Sequence, residues 1–413
     1  MNMTPSANRL HIAFFGRRNA GKSSLVNAVT GQNLALVSEI KGTTTDPVYK
    51  AMELLPLGPV VIIDTPGIDD EGALGLLRVD KAKQVLNKTD LAVLVLDGEL
   101  PPDSILSDTE AELAGILTSK RIPFKMVLNK ADLCDTDTMA MAAESNIIPV
   151  SAKTGFNINL LKEKIASFVS DEDLSQKLIS DLIRPLDLIL LVIPIDKAAP
   201  KGRLILPQQQ VIRGILDSGA CAICVRETEL AGILSKIDRK PALVITDSQV
   251  FAQVSAIIPQ DIPLTSFSIL FARYKGFLET AVAGAAALDA LKQNDKILIC
   301  EGCTHHRQCD DIGTVKIPSM IKKHCFKFDA RAEPEFSFCS GGDFPQDLSP
   351  YKLIIHCGGC MLNEREVRHR RNLAKEQNIP FTNYGIAIAH IQGILTRSIA
   401  IFDLEHAGIT NNE

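Results

Sequence analysis

The chain has 413 residues, 46% hydrophobic and 23% charged, with a formal net charge of −5. That length is too great for one hydrophobic core and predicts several domains. The acidic balance argues against whole-molecule binding to nucleic acid, and four Tyr with no Trp argue against an extended base-stacking platform.

The N-terminal stretch MNMTPSANRLHIAFF lacks the charged start and long apolar run of a secretory signal. Leu188 to Pro194, the longest strongly apolar run, is too short to cross a bilayer. The expectation is a cytoplasmic protein with no membrane partner. Ten cysteines in such a chain point to thiolate chemistry or metal binding rather than disulfides. Only Cys134 lies in the first 220 residues, whereas seven lie between Cys300 and Cys360.

From residue 10 to about 168, strand and helix signals alternate. Leu10–Phe15, Val60–Ile63, Leu91–Leu96, Phe124–Leu128 and Ile147–Val150 are short apolar runs, each followed by a turn or helix pattern. This predicts a parallel α/β sheet. The polar segment Ser170–Ser180 reads as a linker. A second α/β block follows, with strands at Leu188–Ile195, Ala220–Val225, Ala242–Ile245 and Leu264–Ser268. Helices are predicted at Gln208–Leu216 and Glu229–Ile237. That block has no phosphate loop and no cluster of polar chemistry. The third block begins near Ala272, with a helical Thr280–Lys292 and strands at Lys296–Cys300, Leu353–Ile355 and Pro380–Asn383. The predicted class is α/β: a larger domain over 1–170, then two smaller α/β domains over 181–270 and 271–413 with mainly parallel sheets.

GRRNAGKS, Gly16 to Ser23, fits G-x-x-x-x-G-K-[ST] between a strand and a helix. The glycines Gly16 and Gly21 let backbone N–H groups face one anion. Lys22 can reach the β- and γ-phosphates, and the Ser23 hydroxyl, followed by Ser24, can ligate Mg²⁺. DTPG, Asp64 to Gly67, ends a strand, placing Asp64 near the metal's water shell and the Gly67 N–H near the γ-phosphate. NKAD, Asn129 to Asp132, ends another strand. Its carboxylate can accept from the N1–H and 2-amino group of guanine. Lys130 belongs to the same motif, and Ser151, Ala152 and Lys153 can close over the base. The order resembles translation-factor-like small GTPases, so GTP and GDP are the expected nucleotides.

The KGTTTD segment lies where the first switch belongs. Thr44 is the expected Mg²⁺ ligand by analogy with the Gly-Thr-Thr-Arg-Asp pattern of related GTPases; Thr45, standing where their Arg stands, is the alternative. Ile68 occupies the place of the water-positioning glutamine of Ras-like proteins, so unaided hydrolysis should be slow. Asn19 matches the phosphate-loop Asn that helps bind K⁺ in related GTPases, which predicts faster hydrolysis in K⁺ than in Na⁺.

Two cysteine-bearing strand ends mark the third block. KILICEGCTHHRQC holds Cys300, Cys303, His305, His306 and Cys309, and LIIHCGGC holds His356, Cys357 and Cys360. If these strands are neighbours, Cys303, Cys357 and Cys360 can meet in one crevice. Zn²⁺ on four ligands, a [4Fe–4S] cluster, and buried reduced thiols without metal all suit such residues. A compact zinc knuckle from Cys300, Cys303, His306 and Cys309 is a further alternative.

The C-x-H and H-C-x-x-C pair behind a GTPase domain resembles HydF, the family of GTPase maturation factors of [FeFe]-hydrogenases. The resemblance extends over the whole chain. It implies a middle dimerisation domain, hence a homodimer, and a C-terminal [4Fe–4S] cluster on Cys303, Cys357 and Cys360. His305 and His356 match the motif's histidines as fourth ligand or as supporting hydrogen-bond donors. It also implies a scaffold that receives a transient di-iron precursor from the radical-SAM maturases HydE and HydG and delivers it to apo-[FeFe]-hydrogenase. The rival reading is an RNA-acting GTPase with a zinc appendage, supported mainly by RHRR, Arg368 to Arg371.

Overall fold

The computed structural model describes residues 5–31, 47–55, 57–67, 84–168, 177–195, 204–303, 311–329 and 331–402. The chain divides into two compact units, Met1–Ser175 and Gln176–Glu413. Among the described residues no helix is long and apolar enough to cross a membrane.

The first unit is built on six strands: β1 (Leu10–Phe15), β2 (Val48–Leu54), β3 (Gly58–Asp64), β4 (Leu91–Asp97), β5 (Phe124–Asn129) and β6 (Ile148–Pro149). Their order is β2-β3-β1-β4-β5-β6. β2 runs antiparallel to β3, and the remaining pairs are parallel. The continuous apolar runs mark strands buried on both faces; every residue of β4 is buried. Alternate residues feed opposite cores. Ile12, Phe14, Val93 and Val95 pack with Leu25 and Val29 of the helix Lys22–Thr30 and with Leu161 of Ile158–Ala166. Ala13, Phe15, Ala92 and Leu94 pack with Leu113 and Leu117 of the helix Asp108–Ser119. A reciprocal Ser107–Glu110 capping box starts that last helix.

The second unit contains two four-stranded parallel sheets. One is β10-β9-β7-β8, from β7 (Leu188–Val192), β8 (Cys221–Val225), β9 (Leu243–Thr246) and β10 (Leu264–Ser266). The other is β12-β11-β13-β14, from β11 (Lys296–Glu301), β12 (Glu335–Ser340), β13 (Leu353–His356) and β14 (Phe381–Asn383). One apolar cluster runs through both sheets and includes Leu190, Ile245, Phe277, Leu298, Ile354 and Phe381. Ile297, Ile299, Leu353 and Ile355 face the other way, onto Ile317, Ile321, Ala387 and Ile388. The helix Leu278–Ala285 lies so close to β14 that a Cβ at Gly284 would come 2.2 Å from the Phe381 carbonyl oxygen.

Two strands have no counterpart among the predicted elements. β2 buries only Leu54, and β12 buries only Cys339. Both lie at sheet edges, where no continuous apolar run is needed. The helix predicted at Gln208–Leu216 spans Leu206–Asp217, and the one at Glu229–Ile237 shortens to Leu230–Leu234. Most of the linker segment Ser170–Ser180 lies outside the described residues.

Candidate nucleotide site and thiol crevice

The phosphate loop runs from the end of β1 into the helix Lys22–Thr30. Its shape depends on two glycines and one asparagine in conformations that other residues resist. Gly16 has φ 148°, and a Cβ there would sit 2.2 Å from the Val95 carbonyl oxygen. Gly21 has φ 82° and faces the Asn129 amide equally closely. Asn19, at φ 64°, is left-handed, a region Asn tolerates better than most residues. Lys22 is buried, and its ammonium donates to the Gly16 and Arg17 carbonyls at 2.9 and 2.7 Å. Arg17 is held by Glu110 at 3.1 Å and by the Ile105 carbonyl at 2.8 Å.

Ser23 and Ser24 lie in the first turn of the helix. The Ser23 hydroxyl donates to Asp64 Oδ2 at 2.6 Å. Asp64 Oδ1 is buried without a partner among the described residues. Burial raises the Asp64 pKa, against the opposing pull of Ser23 and Lys22. A hydroxyl and a half-satisfied buried carboxylate at this spot fit Mg²⁺ with its water shell. Gly67 is the last described residue of its segment; Thr44, Thr45 and Ile68 lie outside the described residues.

Asn129 joins three segments. Its amide donates to the Ala20 carbonyl at 3.0 Å, and its side-chain oxygen accepts from the Ala152 N–H at 3.1 Å. Lys130, left-handed at φ 63°, pairs with Asp97 and Glu99. Asp132 accepts from the Ser151 hydroxyl at 2.5 Å, which lowers its pKa and keeps it ionised. Ser151 also receives the Thr154 N–H, and Lys153 is exposed. The Asp132 carboxylate is therefore held in place by the segment that follows β6.

In the second unit, β11 and β13 are parallel neighbours with Cys300 opposite His356. The chain leaves both strands side by side, and the Cys357 N–H donates to the Cys300 carbonyl at 2.8 Å. Gly302 and Gly359 then point their N–H groups at the Cys357 sulfur, at 3.1 and 3.4 Å. Gly359 is left-handed at φ 67°, which allows this turn. Cys303 and Cys360 share the crevice with Cys357. Burial first, and the neighbouring thiols next, push Cys303 and Cys360 up to about 12. Burial also raises Cys357, while the two glycine amides pull the other way. Thiols near enough to influence one another electrostatically, and two N–H groups aimed at sulfur, fit a cationic inorganic core, which would supply the charge that ionises them.

His356 is fully buried. Its Nδ1 lies 2.7 Å from the Cys357 carbonyl and its Nε2 lies 3.2 Å from Arg370 Nη1. Arginine can only donate, so Nε2 accepts and Nδ1–H donates. Burial, then Arg370, depress the His356 pKa to about 3, so the ring is neutral. Both nitrogens are thus engaged in holding the turn. Arg370, also fully buried, is paired with Glu366 at 2.9 Å and stacked over Phe344. The RHRR run is therefore no uniform basic face: Arg370 is interior, Arg368 pairs with Glu364, and Arg371 donates to the Gly276 carbonyl. His305, His306 and Cys309 lie outside the described residues. Cys300 belongs to the core with Leu298 and is hydrogen-bonded to Cys339. Glu301, buried, receives the Tyr384 hydroxyl at 3.4 Å and lies near Cys303 and Cys357. No motif marks Glu301, Glu366 or Tyr384, and Arg370 stands out only within RHRR, where it reads as surface charge.

Three family models match the chain. Residues 11–130 match a 50S ribosome-binding GTPase, 178–276 the Hydrogen maturase F dimerization domain, and 279–401 the Hydrogen maturase F tetramerization domain. The two maturase models together cover more than half of the chain. The chain belongs to the hydrogen maturase F family. Its first unit is a GTPase domain. GTPase Der of Wolinella succinogenes is 33% identical over 169 residues, covering 38% of this chain and 35% of that protein. The tRNA modification GTPase MnmE of Heliobacterium modesticaldum is 36% identical over 164 residues, covering 38% and 34%. The chain thus spans about a third of the length of these curated relatives. A crystal structure of Aquifex aeolicus Era has a TM-score of 0.35 at 19% identity, covering 52% of this chain and 92% of its own.

Proposed function

We propose that this hydrogen maturase F family member is a GTP-hydrolysing scaffold. It holds a [4Fe–4S] cluster on Cys303, Cys357 and Cys360. It accepts a di-iron precursor as cargo and delivers it to apo-[FeFe]-hydrogenase, with HydE and HydG as suppliers. The observation that carries the reading is the side-by-side exit of β11 and β13, which gathers the thiols at one crevice. The cluster, when bound, supplies an iron open to an exchangeable ligand. The chain's own part is to fix sulfur positions. The Gly302 and Gly359 amides aim at Cys357, and His356 and Arg370 lock the turn.

In the first unit, Lys22 and the Gly67 N–H would stabilise charge on the transferred phosphoryl group, Ser23 and Thr44 would hold Mg²⁺, and Asn19 would help hold K⁺. Asp132, held by Ser151, selects guanine. The functional division is a GTPase domain over 1–170, a dimerisation domain over 181–270 and a cluster domain over 271–413. Self-association through the middle sheet is supported by β8, an edge strand whose Cys221 and Cys224 are exposed. The location is the cytoplasm.

The test is an EPR spectrum of anaerobically reconstituted, dithionite-reduced protein beside the Cys303→Ala, Cys357→Ala and Cys360→Ala variants. A [4Fe–4S]⁺ signal lost in each variant is the expected result. A colourless protein with stoichiometric zinc would overturn the cluster assignment and favour an RNA-acting GTPase. That alternative loses its main sequence support with the burial of Arg370.

A further inference from the structure

The chain has a second group of ligand-type side chains, outside the thiol crevice. Asp289 lies on the short 3-10 turn Ala286–Ala290, His324 on the helix Ile317–Phe328 and His390 on the helix Tyr384–Ile391. Leu288, Ile321, Cys325, Ala387 and Ile388 pack these three elements into one small core. At its edge, Asp289 Oδ1 lies 2.7 Å from His324 Nε2, and Asp289 Oδ2 lies 2.9 Å from His390 Nε2. One ligand atom from each residue falls within 4.8 Å of the other two. The two imidazoles meet edge to face, and His324 is backed by Phe328.

We propose that Asp289, His324 and His390 form a binding site for a divalent transition metal of the zinc, iron or cobalt kind. Two imidazoles and one carboxylate favour such ions over Ca²⁺ or Mg²⁺, which prefer all-oxygen sets. Exposure rises across the site, from 8% at the His324 side chain to 22% at His390 and 40% at Asp289. The ion therefore meets protein on one side and solvent on the other, with room for water ligands. In the ion-free form each Nε2–H donates to one carboxylate oxygen. An ion bound at Nε2 takes the place of those two hydrogen bonds, and each neutral ring then carries its proton on Nδ1. His324 Nδ1 is buried without a partner among the described residues. A ligating histidine usually donates its second N–H, so this ligand is weakly supported, and the site is of modest affinity. The helix Tyr384–Ile391 reaches from Glu301, beside the thiol crevice, to His390, roughly 9 Å along its axis. The site goes beyond the scaffold reading and stands without it.

The test is a Co²⁺ titration of the full, chelator-treated chain under anaerobic conditions, followed by visible absorption. The expected result, in a chain carrying Cys303→Ser, Cys357→Ser and Cys360→Ser, is one cobalt per chain with weak ligand-field bands and no thiolate charge-transfer band. Asp289→Asn and His390→Gln should each weaken this binding by about tenfold or more. Their metal-free circular dichroism should stay unchanged, which separates ligand loss from misfolding. Cobalt bound only with thiolate charge transfer, or an affinity unchanged in both variants, would overturn the site.

Discussion

The nucleotide site and the thiol crevice differ in what shapes them. The phosphate loop is set largely by backbone: Gly16 against Val95, Gly21 against Asn129, and Lys22 anchored on loop carbonyls. It carries its own cation for an anionic ligand. The crevice holds thiols whose pKa values are raised by burial first and, for Cys303 and Cys360, by Cys357 next, and a buried side-chain network, Glu366–Arg370–His356, holds the turn. The first site carries a cation before any ligand arrives; the thiols of the second would ionise only with the charge of the proposed cluster. Protein that builds both must satisfy opposite electrostatic demands, and it does so in separate units.

Arg370→Met is the strongest way to break this contrast. It strands the buried Glu366 carboxylate and removes the donor to His356, so urea unfolding should show a loss of about 3–5 kcal/mol. Adding Glu366→Leu should recover most of that stability but not the bound iron. If the single variant loses no stability, the crevice does not depend on the network. Next in size is Lys22→Ala. Phosphate-release assays should show kcat down by about 100-fold or more, with iron content unchanged. Asn129→Ala removes the tie between phosphate loop and base-binding segment. Titration with a fluorescent GTP analogue should show affinity lost by about 1–3 kcal/mol. The smallest effect is expected for Asn19→Ser, where the advantage of K⁺ over Na⁺, about tenfold or some 1.4 kcal/mol of barrier, should vanish. A K⁺ advantage that survives would assign Asn19 to loop shape alone.

What sequence reading could reach follows the same contrast. GRRNAGKS, DTPG and NKAD are contiguous, and each sits at the end of an apolar strand, so the residues and their setting appear together. β2 and β12 escaped because an edge strand needs only partial burial, and VYKAMEL and EFSFCS show no unbroken apolar run. The cysteines of the crevice were visible as two strand ends, but their meeting depended on β11 and β13 being neighbours, a question of topology. Arg370 was misleading from the start. Within RHRR it looks like surface charge, yet helical geometry turns it inward, four residues after Glu366, while Arg368 stays outside. Asp289, His324 and His390 lie so far apart in the chain that no spacing rule joins them.

The Cys357 sulfur is served by two main-chain amides, not by side chains. No ordinary side-chain replacement at Gly302 or Gly359 deletes those donors, because every residue but proline carries the same N–H. Hydrogen bonds to sulfur help set an iron–sulfur reduction potential. In the cluster proposed above, that part of the electronic tuning would be written into the path of the backbone. Sequence drift can alter it only by bending the turn, which makes it a mutationally sheltered property.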